Sequence, residues 1–97
     1  MRTLLLARIP TKQNDSVARE GGIRDTLAKV LEDLNPEAVY FAPVDGERTM
    51  IAIFDLNESS DLPRLTEPLF SRLGASVQMM PCMNLEDLRA GLSRVQP

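Results

Sequence analysis

The chain contains no histidine and no tryptophan, and only one cysteine and one tyrosine among its 97 residues. Each shortage removes a class of chemistry. Without imidazole, no side chain ordinarily titrates near neutrality, and histidine-dependent triads and His-containing zinc sites are excluded. A lone Cys82 excludes an internal disulfide framework. Aromatic residues make up 4% of the chain, too few for a nucleic-acid surface built on base stacking, and a formal net charge of -3 gives no general pull toward phosphate backbones. No run approaches the roughly 18 apolar residues needed to cross a bilayer. The opening MRTLLLARIP has one basic residue ahead of an apolar run too short for a signal peptide. The expectation is a cytoplasmic protein with no membrane or nucleic-acid partner, no cofactor and no metal.

What is present suits one domain over residues 1–97. The hydrophobic fraction of 43% and the charged fraction of 26% are both ordinary for a globular chain of this size. Thr3 to Ile9 reads as a largely buried strand that Pro10 stops. Asn14, Asp15 or Ser16 can cap a short helical turn running to Glu20, and Gly21 and Gly22 break it. From Ile23 to Leu34, Ile23, Leu27, Val30, Leu31 and Leu34 recur at helical spacing, with Asp25, Lys29 and Asp33 read as solvated surface on the other face. Pro36 ends that helix.

Ala38 to Leu56 then reads as two strands joined through Asp45-Gly46, a strong hairpin turn signal. On the second strand Thr49, Ile51, Ile53 and Asp55 face one side, while Met50, Ala52, Phe54 and Leu56 face the other. Leu62 to Leu73 is predicted helical, kinked at Pro68 and closed by Gly74. Ala75 to Cys82 makes a fourth strand whose Pro81 marks an edge or an end. Asn84 to Leu92 forms a short helix capped by Asn84 with Asp87, its entry fixed by a Met83–Leu88 staple.

The order strand, helix, strand, strand, helix, strand predicts an α+β, ferredoxin-like βαββαβ domain with a four-stranded antiparallel sheet and a short C-terminal helix. Two helices cover one face of the sheet. The other still carries apolar side chains, and such a patch on a small domain marks an interface, so a homodimer or higher oligomer is expected.

Five side chains are the candidate ligand-binding set. Tyr40 offers the only phenol, and Arg48 beside the turn can clamp an anionic group. Asp55 can pair with Arg8 across the sheet or serve as acid or base if burial raises its pKa. Glu67, one residue before Pro68, can line a pocket. Met79, Met80, Cys82 and Met83 form a sulfur-rich run, but strand alternation sends neighbours to opposite faces, and no metal site is expected of it.

The phrases EDLNPEAVYF (32–41), DGERT (45–49), FDL (54–56), EPLF (67–70) and PCMNLEDL (81–88) resemble an uncharacterised family of small bacterial proteins of the dimeric α/β-barrel, ferredoxin-like kind. The resemblance implies a dimeric barrel and carries no catalytic set onto these positions. The functional expectation is an uncharacterised, self-associating protein that binds a small apolar or weakly anionic ligand. The alternative is a cofactor-independent oxygenase or isomerase with a pocket between sheet and helices.

Overall fold

Alternation and turn chemistry set out the sheet. The computed structural model describes residues 1–11 and 22–95; the expected helical turn from Asn14 to Glu20 lies outside the described residues. The strands are β1 (Arg2–Ile9), β2 (Ala38–Val44), β3 (Glu47–Asp55) and β4 (Ser76–Pro81), and the helices are α1 (Gly22–Leu34), α2 (Leu62–Leu73) and α3 (Leu85–Leu92), with a 3-10 turn at Ser59–Asp61. The sheet order is β2-β3-β1-β4, and every neighbouring pair is antiparallel. This is the expected βαββαβ arrangement.

The barrel is corrected. β2 and β4 are free edges at opposite sides of an open sheet, so no strand pairing closes it. The open sheet likewise gives no support to the homodimer expected with that barrel.

β1 alternates strictly, with Thr3, Leu5, Ala7 and Ile9 buried and the residues between them half-buried. Register carries the same division across the sheet: Leu5 lies opposite Ala52 and Met79, and Ala7 opposite Met50 and Val77. The buried row faces α1 and α2, which contribute Val30, Leu34, Leu65, Leu69 and Leu73 to one core. The other row has Leu4, Leu6, Ile51 and Ile53 half-buried and Tyr40 exposed, on the face away from the core that α1 and α2 form among the described residues.

Local chemistry explains the ends. Asn35 takes a left-handed φ of 47° before Pro36, which closes α1. Asp45 (φ 53°) and Gly46 (φ 78°) are both left-handed, as a two-residue turn matched to strand twist requires. Gly74 (φ 59°) ends α2, and the following Ala75 N–H donates to Leu69 C=O at 3.0 Å. Pro68 sits inside α2, which continues from Leu62 to Leu73 without that residue's N–H donor. Pro81 is the last residue of an edge strand, as its missing N–H demands.

α3 has the expected capping box: Asp87 N–H donates to Asn84 Oδ1 at 2.7 Å and Asn84 N–H to Asp87 Oδ2 at 3.2 Å. None of its residues is buried, and Leu85, Leu88 and Leu92 are all exposed. No helix among the described residues is long and apolar enough to cross a membrane.

Candidate functional site

A concavity opens where the first half of α1 stands over the hairpin end of the sheet. It measures about 480 Å³, and its wall includes Ile9 from β1, Ile23 and Leu27 from α1, Phe41 and Pro43 from β2, and Arg48 from β3. The apolar wall follows from parity. Phe41, Pro43 and Arg48 share the helix-facing side of their strands with the buried Met50, and the α1 stripe brings Ile23 and Leu27 over them. Phe41 remains 57% exposed because it stands on the edge strand, where no further strand flanks it. Among the described residues Arg48 has no ion pair, and Glu47 is the one carboxylate that joins it in the wall.

Of the five candidate residues, the structure brings only Arg48 to this concavity. Tyr40 lies on the uncovered face and is 67% exposed. Arg8 is also on that face, where its Nη1 lies 3.3 Å from Asp45 Oδ2, so it ties the turn to β1. The expected Arg8–Asp55 pair does not form. β1 and β3 run antiparallel with Arg8 opposite Thr49 and Asp55 opposite Arg2, which puts the two charges at opposite ends of the strands. Asp55 instead accepts from the Met1 amine at 2.7 Å. Glu67 is exposed on α2, away from the concavity, and its carbonyl accepts from Ser71 Oγ at 2.9 Å.

Sequence reasoning passed over Arg2. Its Nε donates to Glu37 Oε1 at 2.6 Å and its Nη1 to Asp87 Oδ2 at 3.0 Å, joining the start of β2 to the cap of α3. The hydrogen bond to the Glu37 carboxylate, and then that carboxylate's charge, raise the already high pKa of the Arg2 guanidinium further, against a smaller opposing effect of burial. The group therefore stays cationic, and the three-way contact works as an anchor. Cys82 is half-buried beside it, in a concavity of about 520 Å³ also lined by Arg2, Glu37, Asp55 and Asp87.

The sulfur-rich run does not converge: Met79 packs against the core, while Met80 and Met83 are exposed. Among the described residues no group of three or more Cys, Asp or Glu side chains is placed to hold a metal ion.

No family model and no curated protein matches the chain. The resemblance to a dimeric α/β-barrel family is thereby corrected: its phrases match short turn, cap and strand segments whose chemistry recurs wherever these elements occur. Among solved structures, the chain is similar to a formyltetrahydrofolate deformylase from Pseudomonas putida KT2440, with a TM-score of 0.54 and 12% identity. The likeness is one of fold. It covers 84% of this chain but 29% of the deformylase, so the chain spans less than a third of that enzyme's length.

Proposed function

We propose that this chain binds a small, mainly apolar molecule bearing one anionic group, held between α1 and the β2–β3 hairpin. The observation that carries the reading is an apolar concavity whose wall holds Arg48, a cation with no ion pair among the described residues. Ligand pockets are commonly apolar chambers of several hundred Å³ with a few polar groups that fix orientation. Here Ile23, Leu27 and Phe41 supply the contact surface and Arg48 the orientation. An oxygenase or isomerase would need an acid, base or phenol against its substrate, and among the described residues the wall offers Glu47 and Arg48 as ionisable groups.

Fluorescence titration with 8-anilinonaphthalene-1-sulfonate, followed by displacement with octanoate, tests this reading. Saturable binding, competition by octanoate, and a loss of about fivefold or more in Arg48→Gln are expected, since a charge-assisted contact is removed. Enhancement that octanoate leaves untouched would refute it.

A second observation favours self-association. The uncovered sheet face carries Leu4, Leu6, Ile51 and Ile53, with Tyr40 and Met80 exposed, and nearby α3 shows an uncovered Leu85–Leu88–Leu92 stripe. Contiguous apolar surface of this kind marks an interface, and we infer that copies of the chain associate through it. Native mass spectrometry and sedimentation velocity check the inference. A monomer at all concentrations up to about 100 μM would overturn it, since a stable interface gives Kd values well below that.

A further inference from the structure

β2 presents backbone as well as side chains beside the hairpin concavity. Among the described residues it pairs with β3 on one side, and the strand order leaves its other side free. Asp45-Gly46 makes a two-residue turn, so Val44 and Glu47 exchange backbone bonds and every second pair repeats the pattern. Ala42 and Tyr40 therefore bond to β3, while Val39, Phe41 and Pro43 turn their backbone groups outward. Phe41 offers an N–H and a C=O there. Pro43 offers a C=O alone.

The side chains give this edge a direction. Phe41 and Pro43 line the concavity of about 480 Å³ together with Ile23 and Leu27. Arg48 lies opposite Pro43 on β3, and no ion pair occupies it among the described residues. Glu47 adjoins it in sequence, and strand alternation sends its side chain to the other face. At the far end, Glu37 precedes the first residue of β2 and accepts from Arg2 Nε at 2.6 Å. A carboxylate thus stands where β2 begins and a cation near where it ends.

An extended chain laid along this edge meets two kinds of demand at once. In parallel pairing, the N–H and C=O of Phe41 bond the residues before and after the one that faces Phe41. The facing residue turns its side chain to the helix side, next to the exposed Phe41 ring. The residue after it brings its carbonyl to Pro43, where the edge has no N–H to give. A chain that ends there puts a carboxylate in that position instead. It lies two strand spacings from β3, about 10 Å, within reach of an arginine side chain passing over the short Pro43 ring. The reverse orientation would carry the carboxylate toward Glu37. A free fatty acid would use Arg48 and the apolar wall but leave the Phe41 backbone groups to water.

We propose that the β2 edge binds the C-terminus of an extended peptide, parallel to β2, with an apolar penultimate side chain in the hairpin concavity and the terminal carboxylate on Arg48. Strand addition of this kind draws affinity from backbone bonds and specificity from the pocket. The peptide end is one class of the apolar anion assigned to that concavity above, so it rests on that assignment.

The test is fluorescence polarisation of the full chain with fluorescein-labelled Gly-Ser-Thr-Val-Leu-Ala bearing a free carboxylate. Saturable binding is expected, and the same peptide with a C-terminal amide should bind about fivefold or more weakly, as expected for loss of a charge-assisted bond. Arg48→Gln should bring the acid down to the level of the amide; Arg48 is exposed, so the variant folds. N-methylation of the terminal alanine removes the donor to Phe41 C=O and should weaken binding about fivefold or more, whereas N-methylation of the leucine, whose N–H points away from β2, should leave it unchanged. Equal affinity of acid and amide, or equal effects of the two methylations, would overturn the proposal. No peptide binding up to about 1 mM would overturn it as well: if octanoate still displaces 8-anilinonaphthalene-1-sulfonate, the concavity takes small anions and not peptide ends, and if octanoate fails too, both readings fall.

Discussion

Replacing Thr26 with valine isolates the energy of one atom. The two side chains have nearly the same shape, both are β-branched, and their helix propensities are close. Backbone preference therefore contributes little to the difference. The native hydroxyl is buried without a partner, and leaving such a group unsatisfied costs about 1–3 kcal/mol. A methyl in its place avoids that cost and adds apolar contact between α1 and α2. Thr26→Val should therefore stabilise the fold by about 1–2 kcal/mol, within the range set by the hydroxyl's desolvation. Each kcal/mol moves the melting midpoint of a domain this size by about 4–8 °C. Urea unfolding followed by circular dichroism measures the change, and an unaltered m value shows that the denatured state has not shifted. A loss of about 1 kcal/mol or more would refute the reasoning, because it would mean that the hydroxyl makes a bond worth keeping.

Three further substitutions test the fold. Gly46→Ala should cost about 1–2 kcal/mol in urea unfolding, the ordinary cost of a left-handed L-residue; a Cβ there meets nothing within 4 Å, so an unchanged midpoint would contradict the backbone argument. Asp87→Ala removes a capping partner of Asn84 and a partner of Arg2. It should speed amide exchange in α3 about fivefold, from a cap worth about 1 kcal/mol, while the global midpoint holds because α3 buries no residue; a matching fall in global stability would show that α3 is part of the core. Leu69→Ala, at a position with no exposure, should lose about 2–5 kcal/mol, a large share of a typical 5–15 kcal/mol total, and a loss below about 1 kcal/mol would mean that the core collapses around the cavity.

Parity was legible in the sequence, and register was not. Hydrophobic alternation in β1 and β3 placed Ile51, Ile53 and Asp55 on one face and Met50, Ala52 and Phe54 on the other, as the sheet has them. The same alternation could not say which residues lie opposite one another. Arg8 and Asp55 share a face, yet antiparallel pairing sends them to opposite ends. Caps and turns were readable because their chemistry is local, as at Asp45-Gly46 and at Asn84 with Asp87. Arg48 was found because it adjoins a turn. A shallow concavity between α1 and α2, lined by Thr26, Lys29, Pro68 and Arg72, was hidden because it depends on how the two helices are rotated against each other, and the spacing of Asp25 and Lys29 showed only a solvated helix face.

The two strand prolines limit how far the sheet can grow. Met1 and Leu56 exchange N–H···O bonds in both directions, and Cys82 N–H donates to Arg2 C=O. Alternation from these pairs turns the backbone of Val39, Phe41 and Pro43 outward on β2, and that of Val77, Met79 and Pro81 outward on β4. Each proline thus stands where its missing N–H breaks no bond within the sheet. An incoming strand would find only two donors on either side before meeting a ring that has none. Phe41 and Tyr40 make β2 attractive to other extended chains, and Pro43 shortens the row of groups that could hold them. The same device on both margins favours a four-stranded sheet over end-to-end growth into fibrous stacks.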